Sequence, residues 1–217
     1  CIMVHEQSGI TQFDELQDLR LALGAGKAFA RFLQAQCDLN SVQIVPYTGS
    51  VAPFLRDLRM AQQAYVFSEP FVARRKGARP RCLMVSQLGF NPYTSCLITH
   101  EDLIRRNPKL VKRMVSAVRH GWQAYLRSPD AVHAAIQARN PQMDEESLRF
   151  ASAAIRPLCL PDGVTEVSLG KMIKSRWQEM GSQLIELGLL DPAVNVSDAF
   201  TTQFLNEPIT DNEDASR

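Results

Sequence analysis

The sequence lacks the marks of most specialised protein classes. No apolar run reaches the roughly 18 residues that a membrane-spanning helix needs. Charge of one sign is not in excess: the 217 residues carry a net +1, so nothing argues for nucleic acid or an acidic partner. The five cysteines (Cys1, Cys37, Cys82, Cys96, Cys159) contain no CxxC and no metal-ligand spacing. An odd, scattered set reads as buried thiols rather than a disulfide framework. There is no GxSxG, no HExxH and no Walker loop, so no catalytic signature is present. The four histidines (His5, His100, His120, His133) are dispersed. His120 and His133 fall on helical patterns and read as surface or cap groups rather than ligands. Repeats and low-complexity segments are absent too. What is there is ordinary: 45% apolar and 22% charged residues, enough chain for one large domain or two small ones.

The first ninety or so residues alternate strand and helix signals. Strands are predicted at "IMV" (2–4), "LRLALGAG" (19–26), "SVQIVPY" (41–47), "AYVFS" (64–68) and "RCLMVSQ" (81–87). Helical stretches fall between them, at a turn within 9–19 and at 27–36, 51–58 and 69–77, the last closed by Gly77. This β-α-β-α order predicts a mainly parallel sheet with helices on both faces. "TSCLIT" (94–99) reads as the last strand, and "THED" after it resembles a capping box with Thr99 as the cap.

Beyond residue 100 the pattern is helical. In 108–126, Leu110, Val111, Met114, Val115, Val118, Trp122, Tyr125 and Leu126 recur at the 3.6-residue period. Ser128-Pro129 marks a helix start, and Asp144 opens another helix that should end before Pro157. Met172, Ile173, Trp177, Met180, Leu184 and Leu187 form a further stripe closed by Gly188. Stripes this broad need a partner surface, yet few strands remain to supply one. The expectation is that the partner is a sheet built from residues before Cys1, that the chain begins in mid-fold, and that these helices expose apolar surface. The tail 206–217 is polar and expected to be disordered.

Two stretches at strand ends can carry chemistry. "GAGKAF" (24–29) is a glycine-rich strand-to-helix turn whose N–H groups can hold an anion or a polar oxygen. The alternative is a tight turn that needs glycine for its own shape. "SEP" (68–70) ends what reads as a buried strand on a carboxylate. Glu69 is either an acid in the first turn of a helix, with Pro70 at its first position, or half of a binding site. In open α/β sheets ligands bind beyond the carboxyl ends of the strands, where both stretches fall. "NPYTS" (91–95) follows, with Tyr93 placed to line a cleft. "ARRKGARPR" (73–81) reads as a solvated basic face.

Taken in order, "MVHEQSGI", "LALGAGKAFARFL", "VPYTGSVAPFL", "QQAYVFSEPFVARRKGA", "LGFNPYTSCLIT" and "NPKLVKRMVSAVRHGWQAYLRSPD" resemble the solute-binding proteins of ABC importers. The branch is the one for sulfonates, nitrate, taurine and the pyrimidine precursor of thiamine, the SsuA/THI5-like (NMT1-like) group. The likeness covers roughly residues 1–205. It implies an α/β, periplasmic-binding-protein-like (type II) fold of two lobes with the ligand between them, the first β-α part of lobe one being absent here. Residues 1–7 would be one hinge strand and 8–90 the complete second lobe. Residues 91–205 would be the second hinge strand and the helical return to lobe one.

The resemblance implies a binding protein, not an enzyme, that captures a small polar metabolite by hinge closure. It would hand the ligand to ABC permease subunits in the membrane. The protein would be periplasmic or lipid-anchored outside the cytoplasm, without cofactor, metal or nucleic acid, and monomeric when full-length. The ligand groups carried over are Gly24, Gly26, Lys27, Ser68, Glu69 and Tyr93. Lys27 stands where the family commonly has a small hydroxyl residue and favours an anion. Glu69 matches the acid that pyrimidine-binding members turn toward an amino group. A thiamine-pyrimidine precursor is favoured over sulfonate, taurine or nitrate, because a carboxylate repels an anion. Two other readings share the fold: a thiamine-pyrimidine biosynthetic enzyme, whose cysteine-rich motif is not seen, and the effector domain of a regulator.

Overall fold

Five strands of four residues each build the sheet: β1 Ile2–His5, β2 Arg20–Leu23, β3 Gln43–Pro46, β4 Met60–Gln63 and β5 Pro80–Leu83. Their order is β3-β2-β4-β1-β5. β2 runs parallel to β3 and β4, while β1 is antiparallel to both β4 and β5, so a single reversed strand sits inside a parallel sheet. The computed structural model describes residues 1–161 and 163–205, and the tail expected to be disordered lies outside the described residues.

Strand alternation sends successive side chains to opposite faces. Ile2, Val4, Leu21, Leu23, Ala61 and Leu83 join one buried cluster with Ala30, Phe32 and Leu33 of α1 (Ala28–Gln36). Met3, Ala22 and Met60 join the other, with Phe54 of α2 (Ala52–Arg56) and Ala73 of α3 (Glu69–Arg75). Both faces are therefore covered by helices, as the β-α alternation predicts. Pro46 lies at the end of edge strand β3, where a missing N–H is tolerated.

Several boundaries differ from the sequence reading. The fourth strand is not 64–68 but Met60–Gln63, paired with β2 from Arg20↔Met60 to Ala22↔Gln62. Beyond Leu23 the β2 ladder ends, so Tyr65-Val66-Phe67 has no neighbour to pair with and turns back, with Ser68 N–H donating to the Tyr65 carbonyl at 2.9 Å. Tyr65 is 62% exposed rather than buried. Two glutamines disguise the real strand, and Gln62 is buried in its midst. β5 stops at Leu83, and Val85–Leu88 winds into a 3-10 turn. Residues 94–99 form no strand; Ile98 is 87% exposed.

Eight α-helices are found among the described residues, the last five being α4 Glu101–Arg106, α5 Pro108–Arg127, α6 Asp130–Arg139, α7 Glu145–Cys159 and α8 Lys174–Glu186. His100, not Thr99, caps α4, its Nδ1 accepting from the Asp102 N–H at 3.1 Å. α7 runs through Pro157 to Cys159. A proline so near the end costs few hydrogen bonds, since the helix has little left to build. Of the α5 stripe, Val111 and Leu126 are buried while Met114 is 52% exposed. His133 is a core group rather than a surface one: it is buried, with its ring against that of Tyr125. The cysteines are all free, four half-buried and Cys96 exposed. The basic stretch 73–81 is not merely solvated: Arg75 pairs with Asp144, Arg79 with Glu6, and Arg81 donates to the Ile10 carbonyl.

Candidate functional site

Because β2, β3 and β4 are parallel, their carboxyl ends open on one edge of the sheet. Three short connections meet there: the glycine turn 24–27 after β2, Tyr47 after β3, and residues 64–68 after β4. Glu69 is the first residue of α3, and Ser68 caps that helix without a side-chain bond. The carboxylate does not serve its own helix. Its Oε1 accepts from the Tyr47 hydroxyl at 2.5 Å and its Oε2 from the Tyr65 N–H at 2.8 Å. One carboxylate thus ties together the loops after β3 and β4. A carboxylate offers about four lone-pair positions, and these bonds take two of them. Burial, and then the hydrogen bond and charge of Glu69, push the Tyr47 phenol well above its ordinary range.

On the β2 side, the Gly24 N–H donates to Gln63 Oε1 at 2.5 Å. A Cβ at Gly24 would come 3.2 Å from both Gln63 Oε1 and Lys27 Cγ, so one of those side chains would have to give way by a few tenths of an ångström. Gly26 has a φ of 71°, in the left-handed region that L side chains rarely adopt. Lys27 caps α1 through its backbone and is exposed. Gly26 thus answers the turn's own geometry, and the Gly24 N–H is occupied by Gln63.

The structure gathers Gly24, Gly26, Lys27, Ser68 and Glu69 at the strand ends. Tyr93 packs against α8: its hydroxyl accepts from the Ile173 N–H at 2.9 Å, and Arg176 of α8 lies 4.1 Å over its ring. Tyr47, Gln63 and Tyr65 were not anticipated. For Tyr47 a signal existed, an amphipathic ring directly after a strand and before "TG". Gln63 had none, because the strand that carries it was misplaced by four residues. Among the described residues no group of three or more His, Cys, Asp or Glu side chains is placed to hold a metal ion, and no helix is long and apolar enough to cross a membrane.

The architecture is that of type II periplasmic binding proteins. The chain aligns with the alkanesulfonate-binding protein SsuA from Xanthomonas axonopodis pv. citri, solved with MOPS bound, at a TM-score of 0.58 and 14% identity, over 91% of this chain and 68% of that one. The family described as NMT1/THI5 like matches residues 1–132, and the chain belongs to that family. Among curated proteins it is 24% identical over 168 residues to the riboflavin-binding protein RibY of Chloroflexus aurantiacus. That alignment takes in 76% of this chain but 47% of the relative, so the chain spans about half the length of the curated relative it matches.

Proposed function

We propose that this chain is the ligand-gripping part of a solute-binding protein that serves an ABC uptake system outside the cytoplasm and performs no bond chemistry itself. Residues 8–90 form one wall of the cleft, residues 1–7 and 91–99 cross between lobes, and the helices from α4 onward belong to the other wall. The ligand is a small polar metabolite bearing N–H donors, with an aminopyrimidine of the thiamine-precursor type preferred to a sulfonate, taurine or nitrate.

One observation carries this reading: a carboxylate fixed by Tyr47 and the Tyr65 N–H at the carboxyl ends of parallel strands. With lone-pair positions still free to accept, a carboxylate placed there favours a donor and repels an anion. Lys27, whose charge favours an anion, is exposed at the rim, and the Gly24 N–H of the glycine turn is already taken by Gln63. Calorimetry on the purified protein with 4-amino-5-hydroxymethyl-2-methylpyrimidine, taurine and riboflavin tests it. Binding of the aminopyrimidine, weakened in Glu69→Gln, is expected. Saturable binding of taurine with none of the pyrimidine would overturn the ligand class, and riboflavin binding would move it toward the relative's.

A further inference from the structure

α3 has a second contact at its other end. Phe71 is buried, yet it belongs to neither cluster on the sheet. Its ring stacks on Phe150 of α7, centroids 4.9 Å apart and 26° between planes. The Arg74 guanidinium lies 5.7 Å from the Phe150 ring, and that of Arg75 lies 5.6 Å from the Phe71 ring. Arg75 also pairs with Asp144, the cap of α7, and lies 3.6 Å from Glu146. Ser147, and after it Arg75, hold the Asp144 carboxyl down at about 2.

This patch joins the strand-and-helix portion of the chain to the helices beyond residue 100. On the far side of the junction, α8 grips residues 89–93: Arg176 donates to the Asn91 and Pro92 carbonyls, and Gln183 to that of Gly89. Between the two grips runs 94–99, which joins no ladder and leaves Leu97 and Ile98 exposed. With α8 fixed to residues 89–93 and Leu187 after it packed on the sheet cluster, a swing of the helices about this unladdered segment has to part the α3–α7 contact. That other contact is built to part. Its ion pairs are about half exposed, with 48% of the Arg75 side chain and 49% of that of Asp144 accessible, and such pairs contribute little net. The rest of the hold is the stack of Phe71 on Phe150 with the Arg74 and Arg75 guanidinium groups beside the rings.

We propose that the Phe71–Arg75 and Asp144–Phe150 contact is a releasable clasp between α3 and α7, with residues 94–99 as the joint. It holds α3, and with it Glu69, at a fixed position relative to the helices beyond residue 100. The clasp stands whichever solute binds, since no ligand contact enters it.

Hydrogen exchange read by mass spectrometry tests the clasp on the ligand-free protein. Phe150→Ala should speed exchange in 69–75 and 145–151 roughly tenfold, while β2 and β4 keep their protection. Phe150→Leu, which keeps apolar bulk, should fall between that variant and the wild type. Arg75→Gln should move the same segments by a smaller factor. Unchanged exchange in 69–75 for Phe150→Ala would overturn the proposal. So would loss of protection throughout the sheet, which would make the contact part of the folding core. Because no ligand is added, failure here is distinct from failure of the solute reading.

Discussion

Replacing Glu69 by Gln changes one oxygen to an NH2 group and removes the charge, with almost no change in shape. The side-chain carbonyl can still accept from the Tyr65 N–H, now held at 2.8 Å, and the new NH2 can donate to the Tyr47 oxygen. The Tyr47 O–H loses its acceptor, but Tyr47 is only half-buried and can donate to water instead, so the fold survives. What is lost is charge assistance. A hydrogen bond to a charged group is worth about 1.5–3 kcal/mol and a neutral one about 0.5–1.5, so two such bonds give up about 2 kcal/mol together. Both residues are half-buried, and solvent screening cuts that to about 1 kcal/mol. The urea midpoint should fall by about 0.5 M.

The sharper readout is Tyr47 itself. Its phenol is pushed upward first by burial and then by Glu69, so in Glu69→Gln the burial part stays and the Glu69 part goes. Tyrosinate absorbance followed against pH should show one of the four tyrosines moving back toward its ordinary value. Tyr47→Phe identifies that transition by deleting it. Stability follows in a fixed direction. An unfolded phenol ionises near about 10 and the folded one higher, so Tyr47 costs no stability below that point. As pH rises from there through the folded value, the unfolded state gains and stability falls. The fall should be shallower in the Gln variant. A tyrosinate titration superimposable on the wild type would refute the Tyr47–Glu69 pairing and return Glu69 to an ordinary first-turn acid.

Two further outcomes follow from packing. Phe54 is fully buried, its ring stacked 3.8 Å from that of His5, whose Nε2 lies 2.9 Å from the Phe54 carbonyl; Phe54→Ala should cost about 3–5 kcal/mol in urea denaturation, and a loss below about 1 kcal/mol would refute the close packing of that face. A Cβ at Gly181 would come 2.4 Å from Val196 Cγ2, so Gly181→Ala should lift the 3-10 turn Val196–Ala199 from α8 and disturb the neighbouring Trp177–Phe200 stack; unchanged tryptophan fluorescence and stability would count against that contact.

Much of the architecture was legible in the sequence because it rests on local periodicity. α1, α3, α5 and α8 follow from apolar spacing and from glycine stops such as Gly77 and Gly188, signals that sit within a few residues of the structure they define. The strand-helix alternation likewise fixed the mainly parallel sheet and its two covered faces. The fourth strand was not legible. "AYVFS" has better strand composition than "MAQQ", and composition loses because a strand exists only where a neighbour offers a ladder.

The site divides the same way. Proximity to strand ends put Gly24, Gly26, Lys27, Ser68 and Glu69 together from the sequence, since a parallel sheet sends all its carboxyl ends to one edge. What each group does there was decided in three dimensions. Gln63 meets Gly24 across 39 residues of chain, Tyr47 meets Glu69 across 22, and Phe71 meets Phe150 from separate helices. No local pattern encodes such pairs, because each depends on strand register and helix placement, which are set by the burial of many side chains at once. The same cause took Tyr93 to α8, where Arg176 covers its ring and the Ile173 N–H meets its hydroxyl.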